Sequence, residues 1–192
     1  MNSRKPILAS LAPVTLVLCA AVAASFAHAE ADSGANSGVL TINGELTAQS
    51  CTVSGNGQGT NFTVTLPKTS TANLAAAGSV AGSTGFNIAL TDCTPNSGKV
   101  HTFWQPGVNT LSNGSLKNNG TAKNVEVQLQ DFNGSGPGVI DASKADGAQN
   151  SRSVSIDSGA AHLQYAAQYI SAEGGAAAGT VTTSVTYSMA YD

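Results

Sequence analysis

Cysteine and histidine are the side chains here best suited to bond-making, and the chain has three of each. They are Cys19, Cys51 and Cys93, and His28, His101 and His162. Cys51 and Cys93 could form a disulfide or half of a metal site. Zinc would need two more ligands, which leaves His101 and His162, and neither is near a cysteine in sequence. A Ser–His–acid relay would need one of these histidines to meet a serine and a carboxylate in space. No nucleophile-elbow pattern places a serine for that role. The carboxylates are scattered mostly in loop-like sequence, with no pair spaced for acid–base work. Gly55-Asn56-Gly57-Gln58-Gly59 is followed by no helix, so it reads as a loop rather than a phosphate cradle. Asn61, Asn113, Asn119 and Asn133 head Asn-x-Ser/Thr triplets, which read as turn residues in a chain this rich in Asn-Gly pairs. Trp104 suits a sugar platform or, more commonly in a sandwich, a buried core position. No catalytic constellation, cofactor site or metal site follows from these residues.

The start of the chain sets the compartment. Arg4 and Lys5 precede an apolar run from about Ile7 to Ala24, and Ala27-His28-Ala29 fits a small-x-small cleavage pattern. Residues 1–29 therefore read as a secretory signal peptide cut before Glu30. A membrane anchor is the alternative, but the run is near the lower length limit for a span and ends in a cleavage site. A lipoprotein would use Cys19, but Leu18 before it is bulky where such sites want a small residue. Cleavage also removes Cys19. The two remaining cysteines form an even set in an exported protein and read as one disulfide. The mature chain keeps all eleven acidic residues but six of the eight basic ones, a net charge of −5. That balance argues against nucleic acid or an anionic membrane as partner.

The elements that would position any site are strands. Leu40, Ile42 and Leu46 share a phase over residues 39–47. Phe62, Val64 and Leu66 alternate with polar residues until Pro67. Phe86, Ile88 and Leu90 alternate ahead of Cys93, and Val125, Val127 and Leu129 alternate with Glu126, Gln128 and Gln130. Leu163, Tyr165, Ala167 and Tyr169 form another such series, and residues 100–104 form a shorter apolar segment. Asn-Gly and Gly-Gly turns separate them. Residues 72–80 could form a helical turn. About seven strands and one bridge predict an all-β, immunoglobulin-like sandwich in one domain.

The final stretch is the longest alternation. Val181, Val185, Tyr187, Met189 and Tyr191 occupy odd positions with Gly179 and Thr183 in phase, while Thr, Ser and Ala fill the even ones. This is a strand with one apolar and one hydroxyl face. A strand in that position needs partners on both edges, or it exposes one.

The block Gly85-Phe86-Asn87-Ile88-Ala89-Leu90-Thr91-Asp92-Cys93, the block Asn124-Val125-Glu126-Val127-Gln128-Leu129, and the terminal pair Gly179 and Tyr191 resemble the major subunits of type 1 fimbriae, the chaperone–usher pilins. The resemblance runs from about residue 38 to 192. Pro67-Lys68 departs from it, where many members carry a glycine after the leucine. The resemblance implies an incomplete immunoglobulin-like β-sandwich, the pilin fold, lacking its final strand and completed by a donor strand from a neighbouring subunit. It implies a donor extension over residues 30–44 and a pilin domain over residues 45–192. Gly38, Leu40 and Ile42 would enter the neighbour's groove. Gly179, Val181, Val185, Tyr187, Met189 and Tyr191 would line the acceptor strand, filled first by a periplasmic chaperone. The implied partners are identical or related pilin subunits, that chaperone and an outer-membrane usher. The implied role is a structural subunit of a cell-surface fimbrium, with a minor adaptor or a carbohydrate-binding adhesin module of the tip as alternatives. Without the resemblance, residues 38–46 and the terminal strand also read as an ordinary first and last strand.

Overall fold

The computed structural model describes residues 39–44 and 49–192. The leader, Gly38 and the start of the donor extension lie outside the described residues. The chain divides between Gly44 and Glu45 into two units. In the first, residues 39–44 form no strand, and Val39, Leu40 and Ile42 are exposed. The strand expected over residues 39–47 is thus not formed over these six positions. Alternation alone makes no strand where there is no neighbouring ladder to join.

The second unit contains nine strands among the described residues. In chain order they are β1 (Ser50–Gly55), β2 (Ser79–Thr94), β3 (Gly98–Gln105), β4 (Leu116–Lys117), β5 (Glu126–Asp131), β6 (Gly138–Val139), β7 (Val154–Ile156), β8 (Ala161–Ser171) and β9 (Thr186–Tyr191). One sheet has the order β1-β2-β8-β5-β4, with β6 also on β5, and the other has the order β7-β3-β9. Pairing is antiparallel throughout.

Alternation explains the larger sheet. Phe86, Ile88 and Leu90 of β2 are buried, as are Leu163, Tyr165 and Ala167 of β8 and Val127 and Leu129 of β5. The register sets Phe86 opposite Tyr165 and Ile88 opposite Leu163, so one face of the sheet is continuously apolar. Val100 and Trp104 of β3 cover it from the second sheet. Trp104 meets Tyr165 edge-on at 5.2 Å, and the Tyr165 hydroxyl donates to Thr102 Oγ1 at 2.9 Å. Trp104 is a core residue, 2% exposed, and not a surface platform. Cys51 of β1 and Cys93 of β2 are bonded, with Cα atoms 4.1 Å apart.

Three expectations change in detail. The helical turn is a 3-10 turn over Thr71–Leu74, capped by Ser70, and β2 begins at Ser79 instead of leaving residues 75–80 to a helix. Residues 62–66 carry the expected alternation of half-buried and exposed side chains but lie in no strand. The terminal strand is laddered over Thr186–Tyr191 alone.

Candidate functional site

The smaller sheet ends on β9, and there the site lies. β9 pairs with β3 from Gln105 opposite Thr186 to Val100 opposite Tyr191. The edge it uses can be read from the neighbouring residues. The Asp192 amide donates to the Lys99 carbonyl at 3.0 Å. Upstream, the Thr182 carbonyl accepts from Asn119 N at 2.8 Å, and the Thr180 carbonyl accepts from Ala122 N at 3.0 Å. The Ser184 carbonyl accepts from Asn109 Nδ2 at 3.0 Å. All four are even-numbered. An extended chain turns successive backbone groups to opposite edges. The N–H and C=O groups of Val181, Thr183, Val185, Tyr187, Met189 and Tyr191 therefore face the other edge. No backbone partner meets them there among the described residues.

Side chains follow the same parity as far as Thr186, beyond which Ser188 and Ala190 are half-buried like their odd neighbours. The odd positions from Val181 to Tyr191 are all half-buried, while Thr180, Thr182, Ser184 and Thr186 are exposed. Val181, Val185, Tyr187, Met189 and Tyr191 pack on the core without being closed over. Each of these five residues thus offers an incompletely covered apolar side chain and a pair of free backbone groups at once.

Residues 62–66 form the second lip of this slot. Phe62, Val64 and Leu66 pack on the same core. Thr63 N donates to Gln58 Oε1 at 3.2 Å, and Gln58 Nε2 donates to the Thr63 carbonyl at 3.1 Å. One glutamine side chain thereby replaces a strand partner along the outer edge. By parity, residues 62, 64 and 66 direct their backbone groups the other way. Gly55 makes room for this lip, because a Cβ there would lie 2.0 Å from the Phe62 ring. Phe62 meets Tyr187 edge-on at 5.7 Å.

Residues 180–184 are held by side chains in place of a ladder. Asn118 Oδ1 accepts from Thr182 N at 2.9 Å and Gly120 N at 2.8 Å. Asn118 Nδ2 donates to the carbonyls of Ala122 at 3.0 Å and Thr180 at 3.3 Å. Thr180 N donates to Thr121 Oγ1 at 2.9 Å. The approach is close enough that a Cβ on Gly179 would lie 2.3 Å from Ala122 N, and one on Gly120 would lie 2.1 Å from the Thr180 carbonyl. Gly179 is a packing requirement against that loop and is itself exposed. Sequence reasoning missed Asn109, Asn118 and Thr121, because single loop residues carry no periodic signal.

Burial raises the phenol pKa of Tyr187 and Tyr191 above the ordinary tyrosine value. At the far end of β9, His101 Nε2 lies 2.8 Å from Asp146, and its Nδ1 lies 3.6 Å from Asp192. The Ser153 hydroxyl donates to the Asp192 carboxylate. Serine, histidine and carboxylates do converge here. The serine proton, however, is committed to a carboxylate instead of the imidazole, so the cluster ties down the last residue instead of activating a nucleophile. His162 lies on β8, away from this cluster, opposite Ala89. Among the described residues no group of three or more His, Cys, Asp and Glu side chains could hold a metal ion.

Comparison with known proteins gives one consistent picture. A family model described as type-1 fimbrial protein, A, matches residues 66–192. The F17 fimbrial protein of Escherichia coli is 37% identical over 159 residues, covering 80% of this chain and 87% of its own. The major fimbrial subunit SMF-1 of Stenotrophomonas maltophilia is 38% identical over 165 residues, covering 83% of this chain and 95% of its own. Among solved structures, a chaperone–usher pilus rod matches with a TM-score of 0.56 at 18% identity, covering 82% of this chain and 97% of that chain. The P pilus rod subunit PapA matches with a TM-score of 0.50 at 19% identity, covering 74% of this chain and 99% of that chain.

Proposed function

We propose, from the premise that this chain belongs to the type-1 fimbrial protein family, that it is a structural fimbrial subunit that polymerises by strand exchange through the β9 slot. The observation that carries this reading is the doubly open edge. The odd residues of β9 and its upstream segment leave backbone groups unpaired and apolar side chains half-covered in the same place. An inserted strand satisfies both, and adding a strand to a sheet edge is a recognised mode of peptide recognition whose known cases include chaperone–pilin complexes.

The incoming strand in the fibre is the N-terminal extension of a neighbouring subunit. In this chain that segment is residues 31–42, with Gly38, Leu40 and Ile42 in phase to enter the slot. Before assembly, a periplasmic chaperone strand fills the slot, because an exposed apolar edge would otherwise aggregate. An outer-membrane usher is then the place of exchange, and the cell surface is the destination. The similarity to a relative named as a major subunit supports a rod role over a tip adaptor. Copy number in purified fibres separates those two.

The test is assembly with chaperone and usher present, followed by electron microscopy. Deleting residues 31–42 leaves a subunit that binds chaperone but cannot complete its neighbour. Leu40→Asp and Ile42→Asp act in the same direction, each placing a charge in an apolar slot at a cost of several kcal/mol. Normal fibres from the deletion would refute the donor assignment.

A further inference from the structure

The outward face of the larger sheet carries a feature that has no part in the slot. Phe86 and Tyr165 are buried in the core, so Gly85, Asn87, Gln164 and Ala166 belong to the opposite face. Gly85 stands opposite Ala166, and Asn87 opposite Gln164. With Asn56 and Phe132 they line a shallow depression of about 520 Å³. Its floor is low because Gly85 has no side chain. A Cβ there would meet only the Tyr165 carbonyl, at 3.9 Å, so packing within the subunit does not call for glycine. A glycine inside a strand marks a bulge or a close approach. The bulge of β2 lies upstream, between Ala81 and Thr84, and Gly85 itself is exposed. The space above it is therefore open to an approach from outside. Phe132 is 40% exposed and is the one exposed aromatic among the described residues. Its main chain is fixed. Phe132 N donates to the Gln164 carbonyl at 2.9 Å, and the next amide, Asn133 N, donates to the buried Asp131 carboxylate at 2.7 Å.

The polar groups around the depression are carboxamides. Those of Asn56, Asn87 and Gln164 make no hydrogen bond among the described residues, although their main chains are held, Asn56 N by the Asn87 carbonyl at 2.7 Å and Gln164 N by Asn133 Oδ1 at 2.6 Å. All three residues are exposed, and no charged side chain lines the depression. We propose that it binds a neutral carbohydrate, with a pyranose ring resting on Phe132 and its hydroxyls bonded to the three carboxamides. A carboxamide both donates and accepts, as a sugar hydroxyl does. An aromatic ring offers a flat apolar face to the C–H face of the sugar. A few polar groups around an apolar surface of this volume are the usual make-up of a small-molecule site. Without a cation or an anion in the lining, a charged ligand gains nothing here. The depression shares no residue with the β9 slot, so this inference goes beyond the strand-exchange reading and does not depend on it.

The test uses the full mature chain, isotope-labelled and purified as its soluble complex with chaperone, which leaves out any tip adhesin. It is titrated with lactose, maltose and mannobiose, and with sialyllactose as a charged probe, and followed by nuclear magnetic resonance. At least one neutral disaccharide shifts the side-chain amide signals of Asn87 and Gln164 and the main-chain signal of Gly85. The shifts saturate at about millimolar sugar, as expected where an open depression covers one face of the ring. Phe132→Ala weakens the response about tenfold. Gly85→Val fills the floor with a residue that favours strands and removes the response. Neither position belongs to the core, so both variants still co-purify with chaperone. If Gly85→Val does not, Asn87→Ala is read in its place by the same criterion. No saturable shift with any of the three neutral disaccharides, or shifts that survive both substitutions, overturns the proposal. Tighter binding of sialyllactose than of lactose overturns the neutral assignment. Absence of any shift, together with slowed amide exchange at Gly85 in assembled fibres, would give the depression to a contact between subunits instead.

Discussion

The Tyr187 hydroxyl donates to the Thr60 carbonyl at 2.7 Å, joining residues 127 positions apart. Its ring lies edge-on to Phe62 at 5.7 Å and tilted against Trp104 at 6.1 Å. This contact bridges the two lips of the slot, from the last strand to the segment that carries Phe62. Tyr187 belongs at once to the core, to the slot and to its closure.

Substitutions along β9 therefore sort by parity. Tyr187→Phe keeps the ring contacts and loses one hydrogen bond, about 1 kcal/mol. Tyr187→Asp and Met189→Asp put a charge on the core-facing side and abolish recovery of folded, chaperone-bound subunit. Ser188→Asp is much milder, since its side chain belongs to the opposite face. Co-purification with the chaperone measures all of these. Equal damage from Ser188→Asp and Met189→Asp would mean that the facing is wrong.

Asn118→Ala removes four hydrogen bonds at the upstream half of the slot. The expected loss is about 1–3 kcal/mol, because water replaces part of what is removed. Amide hydrogen exchange should speed up at Gly120 and Thr182 and remain slow at Ile88 in β2. Gly179→Ala should show the same local signature by pushing the segment off the loop, at about 1–3 kcal/mol.

Replacing Cys51 or Cys93 opens a link across a sequence separation of 42. In the chain-entropy model this costs about 4 kcal/mol. The expected result is a lower yield of folded subunit and a lower denaturant midpoint, with the slot geometry of any folded fraction unchanged. A full yield of either single variant in the oxidising compartment would contradict this.

Legibility from sequence followed periodicity. β2, β5 and β8 could be placed because each buries one face, and the terminal phase from Val181 to Tyr191 could be assigned for the same reason. Alternation reports which way side chains face and is silent on pairing. Residues 62–66 alternate as a strand does, yet Gln58 stands where a ladder would be. The terminal alternation does not show that its ladder stops at Thr186 and that Asn109, Asn118 and Thr121 hold the rest. Gln149 was equally unreadable. It is buried, donates to the Trp104 carbonyl at 2.6 Å and accepts from Trp104 N at 2.9 Å. Thr183 looked like a residue that merely kept phase. That its buried hydroxyl lacks a partner among the described residues is a property of the assembled edge.

Alkaline pH offers a further check. Burial raises the pKa of Tyr165, Tyr187 and Tyr191 in the folded chain. Their stabilising contribution is complete below the unfolded tyrosine pKa of about 10 and is lost as pH rises through the folded values. Folded subunit should therefore lose stability above about pH 10. Tyr187→Phe should flatten that loss, as followed by denaturant midpoints across the alkaline range. An unchanged alkaline slope in Tyr187→Phe would remove Tyr187 from this account.

β9 and its upstream segment offer backbone groups at every second residue and apolar contacts at all of these but Thr183, so on the strand-exchange reading the slot inspects half of an incoming strand. The other half of that strand faces outward. Its side chains touch neither the core nor the hydrogen-bonding edge, so assembly places little constraint on their identity. On that reading the outward positions of the donor strand are free to change while the joints between subunits stay interchangeable.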